Sequence, residues 1–220
     1  MTALMRASSS LLLIGLVSLA APMPAAAQEP PPPIPHIVLD LRGTYTKFST
    51  EDQLALSRGL LPTELPERGL GGDAGLHFYF YKWKAVTFGL GAQVTLARGS
   101  TSGAGTATQI ALRPVTERFS AFTPQLSFNF GDGDGWSYIS GGIGVAQRVV
   151  MPTGGEVTEI DEERLRSLNY GGGARWFIKP RLAFTLDVRF HQIDPGTPRF
   201  GLPASPRSTL LIIGAGVSFK

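Results

Sequence analysis

Cysteine is absent from the 220-residue chain. That excludes a lipid-modified N-terminal cysteine, thiolate catalysis, cysteine-ligated zinc and any disulfide framework. Charge is scarce as well, Asp, Glu, Lys and Arg making up 17% of the residues, which is little for a water-facing surface. The 20 basic and 17 acidic side chains nearly cancel, so the concentrated basic stripe of a nucleic-acid-binding protein is not indicated and no nucleic-acid partner is expected. Beyond the N-terminal region there is also no apolar run of about 18 residues, the length a membrane helix requires. A membrane protein of this composition has to cross the bilayer as a closed barrel.

The first residues carry an export pattern. Arg6 precedes the apolar run Leu11-Leu12-Leu13-Ile14-Gly15-Leu16-Val17, and Ala25-Ala26-Ala27 stands before Gln28. These are the n-region, h-region and A-x-A site of a Sec-type signal peptide, expected over residues 1–27 and cleaved after Ala27. Residues 28–35, with Pro30-Pro31-Pro32-Pro33 and Pro35, form a stiff extended periplasmic leader. Residues 36–220 remain as one domain.

Within that domain the dominant signal is period two, the mark of a strand with one apolar face. It is clearest in Val86, Phe88, Leu90, Ala92, Val94 and Leu96, which alternate with Thr87, Gly89, Gly91, Gln93 and Thr95. Seven further segments repeat it, from Ile37/Leu39/Leu41/Tyr45 at the start to Leu211/Ile213/Ala215/Val217/Phe219 at the end. The fold class expected is all-β: an eight-stranded antiparallel up-and-down transmembrane β-barrel, with strands of about ten residues. Connections alternate between tight (83–85, 131–135, 179–181) and long (near 49–71, 98–118, 152–164 and 192–208). Short periplasmic turns and long extracellular loops produce that alternation. A two-residue turn at Asp134-Gly135 sets Phe130 opposite Ile139, and a three-residue turn at Lys179-Pro180-Arg181 sets Ile178 opposite Leu182 and Trp176 opposite Phe184.

The second face decides which side meets lipid. It holds Gly, Ala, Thr, Ser, Asn and Gln with a few charges, residues that fit the narrow lumen of eight strands, so the apolar face belongs outside. Its only charges, Lys47 and Lys82, fall at strand ends, as expected when a cation at the bilayer midplane costs about 2–4 kcal/mol. Trp83, Trp176 and Phe219 are the expected aromatic girdle; Trp136 has the wrong parity to face lipid. The location expected is the outer membrane, with its lipid as partner.

The segment Asn169-Tyr170-Gly171-Gly172-Gly173-Ala174-Arg175-Trp176-Phe177, the turn Lys179-Pro180-Arg181 and Leu186-Asp187-Val188-Arg189-Phe190 resemble the penultimate hairpin of the OmpA-like outer-membrane β-barrel family. Thr209 to Lys220 resembles that family's C-terminal strand, with Lys220 following the terminal aromatic Phe219. The resemblance implies recognition of the last strand by the barrel assembly machinery.

Six charges are expected in the lumen: Asp40, Arg42, Asp73, Arg175, Asp187 and Arg189. They make either a plug or gate, or a neutral packing set for a polar interior, with Arg175 and Asp187 lying diagonally on one inward face. His36, His77 and His191 lack a serine at a convincing partner position, so acyl-transfer chemistry is not expected. Gly131-Asp132-Gly133-Asp134-Gly135 lacks the glutamate and spacing of an EF-hand and reads as a tight hairpin. Gly171-Gly172-Gly173 lacks the following helix of a phosphate loop and reads as close strand packing. Residues 161–166, Asp-Glu-Glu-Arg-Leu-Arg, read as a solvated charge run, with a short helix or an acidic binding tip on the third long loop as the alternatives. No catalytic residue, cofactor or metal ligand is assigned. The function expected is a structural or surface-interaction role, with a narrow porin-like diffusion channel as the alternative and a lipid-modifying enzyme third.

Overall fold

The structure is a computed structural model that describes residues 36–102, 112–131 and 135–220. The signal peptide and leader expected over 1–35 lie outside the described residues, as do Asp132, Gly133 and Asp134. Eight strands run β1 (Ile37–Lys47), β2 (Arg68–Trp83), β3 (Val86–Ser100), β4 (Val115–Phe130), β5 (Gly135–Pro152), β6 (Leu165–Lys179), β7 (Leu182–Ile193) and β8 (Ser208–Phe219). Each pairs antiparallel with its sequence neighbour, and β1 closes on β8 with Leu39 opposite Phe219 and Tyr45 opposite Ile213. Closure leaves no unpaired edge, the condition for backbone to cross hydrocarbon.

Alternation sorts side chains as expected. In β1 the burial pattern changes at every residue, and Leu76, Phe78, Leu90, Leu126, Ile139, Ile143, Leu186 and Val188 stand exposed on the outer wall. Such a continuous apolar exterior is stable only against lipid. The strands are longer than expected, from 11 residues in β1 to 18 in β5, the longest being β2 to β6.

Two turn registers differ from the sequence expectation. Phe130 faces Ser137, and Ile139 faces Phe128, a shift of two residues that leaves every side chain on its expected face because the strand period is two. β4 ends at Phe130 and β5 begins at Gly135, and Gly131 leaves β4 at φ 89°, in the left-handed region that favours glycine. At the next turn Trp176 does oppose Phe184, but Lys179 opposes Leu182 and a bulge falls at Ile178. Pro180 and Arg181 then form a two-residue tip, the extra residue being absorbed by the bulge.

The first long connection is not irregular throughout. It contains α1 (Asp52–Ser57) and a short 3-10 turn (Pro62–Glu64). The run 161–166 forms no helix: it is turn and bend leading into β6.

Candidate functional site: a filled lumen under a capped mouth

Every inward position along the barrel axis can be followed as a layer. At the periplasmic end Val38, Tyr79 and Trp136 pack together, with Phe177 against them. Trp136, whose parity excluded it from the lipid face, is 2% exposed and lies 4.6 Å from the Phe177 ring, inside the barrel. Trp83, Trp176 and Phe219 are exposed on the outer wall near that end.

Above this layer all six expected charges converge. Arg175 of β6 donates through Nε to Asp40 Oδ1 at 2.9 Å and through Nη2 to Asp40 Oδ2 at 2.7 Å, a bidentate bond across the lumen to β1. Arg42 donates to Asp73 at 2.8 Å and to the Tyr138 hydroxyl at 2.6 Å. That hydroxyl donates in turn to Asp187 at 2.5 Å. Arg189 completes the set with Asp187 at 2.7 Å and with Gln125 and Asn169, both at 3.0 Å. Ser218 of β8 donates to Asp40, and Gln125 reaches Gln93 of β3 at 3.4 Å. All eight strands therefore contribute to one network of three arginines and three aspartates, which is neutral when fully ionised.

The pairing differs from expectation in one respect. Arg175 and Asp187 share the inward face, but the partner of Arg175 is Asp40. The diagonal between β6 and β7 at Arg175 is spanned instead by Tyr138, whose ring stacks 3.9 Å from the Arg175 guanidinium carbon and whose hydroxyl holds Asp187. A reading led by charge misses Tyr138. Its signal is parity: it precedes the outward Ile139 and is an aromatic on a face otherwise built of small and polar residues.

His77 Nε2 lies 3.3 Å from Asp40 Oδ2, and His191 is within hydrogen-bond distance of Asn169 at 2.9 Å with its ring edge-on to Phe119. Both rings are buried. His36 sits at the rim of β1, its Nδ1 3.0 Å from the Tyr79 carbonyl. The three glycines Gly171, Gly172 and Gly173 lie within β6. A Cβ at Gly173 would come within 2.8 Å of the Tyr138 hydroxyl oxygen, so close packing explains this glycine.

A third layer was not anticipated. Phe48, Phe119, Ile193, Leu210 and Ile212 are all buried and form an apolar disc with Ala97, Ala121 and Ala146 on the inward face above the charges. Over it lies the buried pair Glu117–Arg148, 2.5 Å apart, with Arg148 also donating to the Ser49 carbonyl at 2.8 Å. The mouth itself is covered by the first long loop. Leu54 and Ala55 of α1, with Leu60 and Leu65, pack on Val115 and Val150. Arg58 bridges to Asp161 at 3.0 Å, and Asp161 accepts the Val150 amide at 3.1 Å. Asp161 is 1% exposed, which corrects the solvated charge run expected there: an anchor for the third loop sits inside it. Glu64 accepts the Leu61 amide at 2.8 Å and the Arg113 amide at 3.0 Å. The Leu61 bond and then Arg113 hold its pKa below the ordinary carboxylate range against the opposing effect of burial.

A closed antiparallel barrel of eight strands with an apolar wall, an aromatic rim and a polar lumen defines the class: an outer-membrane β-barrel. Comparison with solved structures agrees. Neisserial surface protein A superposes with a TM-score of 0.54 at 10% identity, over 84% of this chain and 97% of that one. Ail of Yersinia pestis (TM-score 0.44, 14% identity, 83% of this chain and 96% of that one) and OprG of Pseudomonas aeruginosa (0.45, 10%, 84% and 95%) are also similar. No protein-family model matches the chain, and no curated protein matches it in sequence. At such identities the likeness is one of fold alone, and it rests on Neisserial surface protein A.

Proposed function

We propose that this barrel has a structural or surface-interaction role, exercised through its extracellular loops, and does not serve as a diffusion channel. The observation that carries this reading is the succession of filled layers across the lumen: an aromatic floor, the Asp40–Arg175 network, the disc of Phe119, Leu210 and Ile212, and the α1 cap. A gate would need one of these to open, yet the charge layer is tied to every strand and the disc offers no polar path for an ion. The ordering of the first and third loops by Arg58–Asp161 favours a fixed recognition surface. The β8 sequence ending in Phe219 is the segment through which the assembly machinery would recognise the chain. Planar-bilayer recording of the purified protein tests the proposal: no conductance steps are expected, and stable single-channel steps from pure protein would reject it in favour of the porin-like alternative.

A further inference from the structure

The charges of the strands are sorted by sign as well as by face. Every acid in a strand, Asp40, Asp73, Glu117 and Asp187, is buried. Every charged side chain exposed on the outer face of a strand is a cation. Five of these, Lys47, Arg68, Arg98, Arg118 and Arg166, lie at the extracellular end of the wall. Arg98 and Arg118 stand about 12 residues along their strands from the Trp83 rim, on the order of 30 Å once strand tilt is allowed for. That is the level of the outer-leaflet headgroups.

Their arrangement is unfavourable for the protein alone. Lys47 is directly opposite Arg68, and Arg98 directly opposite Arg118; like charges in such cross-strand positions repel. Among the described residues Arg68, Arg98 and Arg118 have no carboxylate partner. Immediately below Arg98 and Arg118 the wall is recessed. A depression of about 420 Å³ is bounded by Leu70, Gly72, Leu96, Ser120 and Val149, together with the two arginines. It adjoins a second of about 290 Å³ that shares Leu96, Ser120 and Gln147 and is bounded by Phe122, Val145 and Arg164. The small side chains at Gly72 and Ser120 create the recess, and its sides are aliphatic and aromatic. The third loop keeps its place above it, because Gln147 donates to the Asp161 carbonyl at 2.8 Å.

From this juxtaposition of an unpaired arginine couple and an apolar trough at one headgroup level, we infer that the outer face of β2 to β5 is a binding site for a phosphate-bearing, acylated lipid of the outer leaflet. Arg98 and Arg118 hold the phosphate, Arg164 bounds the adjoining depression, and an acyl chain lies along Leu96, Phe122 and Val145. An arginine pair matches a phosphate's several acceptor oxygens better than lysines do, and a phosphate between Arg98 and Arg118 turns a repulsive contact into two charge-assisted bonds. The occupant is a membrane lipid, since the trough lies on the outer wall among Leu96, Phe122 and Val145, beside the arginines.

The test uses the full chain folded in zwitterionic detergent micelles. It is titrated with bis-phosphorylated lipid A, with the same lipid stripped of both phosphates, and with inorganic phosphate, and retention is read by native mass spectrometry. The intact lipid is expected to bind at least about tenfold more tightly than the dephosphorylated one. At roughly 1 kcal/mol for each basic residue near an anionic headgroup, Arg98→Gln with Arg118→Gln should weaken it about 20- to 30-fold. Ser120→Phe, which fills the trough and keeps both arginines, should also weaken it, whereas Lys179→Gln at the opposite rim should not. Heat-modifiable gel mobility verifies that each variant is folded. Equal retention of the two lipids by the wild type, which needs no variant, overturns the inference. Unchanged binding in the folded double variant does so too, as does displacement of the lipid by equimolar inorganic phosphate. Failure of the chain to fractionate with outer membranes would instead undo the membrane placement, which is a separate result.

Discussion

Removing Arg175 tests the lumen network at its most heavily used bond. The guanidinium is fully buried, makes two charge-assisted bonds to Asp40 and lies over the Tyr138 ring. Arg175→Met keeps the volume but leaves Asp40 with Ser218, His77 at 3.3 Å and Arg42 at 3.9 Å. Breaking one side of such a pair costs about 3–5 kcal/mol, largely because a buried charge loses its partner. Asp40→Asn strands Arg175 in the same way, with only Tyr79 and Asn129 within reach, at 3.4 and 3.5 Å. The double variant should therefore be less destabilised than the sum of the two, by about 2–3 kcal/mol. In a second cycle Arg175→Met with Asp187→Asn should couple by less than about 1 kcal/mol, since the two are linked only indirectly, through Tyr138 and through Arg42, which lies 3.9 Å from Asp40 and 3.4 Å from Asp187. Urea unfolding from phospholipid vesicles near neutral pH, followed by tryptophan fluorescence and by heat-modifiable gel mobility, gives all the terms. Additivity of Arg175→Met and Asp40→Asn, or a stronger coupling to Asp187 than to Asp40, would refute the pairing.

Three other outcomes follow from the cap and the strand packing. Leu54→Ala removes a fully buried side chain from beneath α1 and should loosen the first loop by about 2–5 kcal/mol, seen as faster proteolysis there; conductance should remain absent, because the layers below are untouched. Glu64 has a folded pKa below its unfolded value of 4.5, so its contribution to the loop is complete above that value and is lost as pH falls through the lower, folded value. Protection from hydrogen exchange in residues 60–65, relative to the intrinsic rate at each pH, should accordingly fall on acidification below about pH 4.5, and Glu64→Gln should abolish that fall in protection. Gly173→Ala should slow or prevent assembly because its Cβ meets the Leu186 backbone carbonyl oxygen first and the Tyr138 hydroxyl next, whereas Gly43→Ala, with nothing nearer than the Ala215 carbonyl oxygen at 4.0 Å, should be tolerated; the folded fraction on gels after refolding into vesicles distinguishes them.

Much of this architecture was legible because a strand's period leaves no intermediate choice. Leu76, Leu90 and Val188 had to share a side, and Asp40, Asp73 and Asp187 had to share the other. Parity is insensitive to a slip of two, which is why the faces were right at Phe130 and Ile139 while their pairing was not. It is equally silent about height and azimuth. Arg175 and Asp187 were neighbours by hairpin logic, but Asp40 meets Arg175 across the lumen, and that distance depends on how the closed sheet is sheared. The α1 cap had little periodicity to show: six residues are under two helical turns, and the cluster of Leu54, Leu60 and Leu65 holds them by tertiary packing.

The apolar disc shows where alternation itself loses meaning. Leu210, Leu211, Ile212 and Ile213 are consecutive, so both faces of β8 read as apolar there, and period two alone assigns one face to lipid without saying what the other meets. Leu210 and Ile212 are buried inside, whereas Ile213 faces lipid. A lumen residue near the mouth is shielded from water once a loop covers it, so the physical rule that kept the inner face polar near the charges no longer applies above them. Loop order and disc composition are then one property. If α1 were detached, Phe119, Leu210 and Ile212 would line a wet funnel, and their burial would have to be recovered by another apolar cover. Replacing Ile212 and Leu210 together with Thr should therefore weaken the docking of the first loop from beneath, raising its protease sensitivity as Leu54→Ala does from above, while Ile213→Thr on the lipid side should leave the loop's protection unchanged. Equal protection in the inward double variant and the wild type would separate the disc from the cap, and the disc's apolar character could then no longer be ascribed to the loop that covers it.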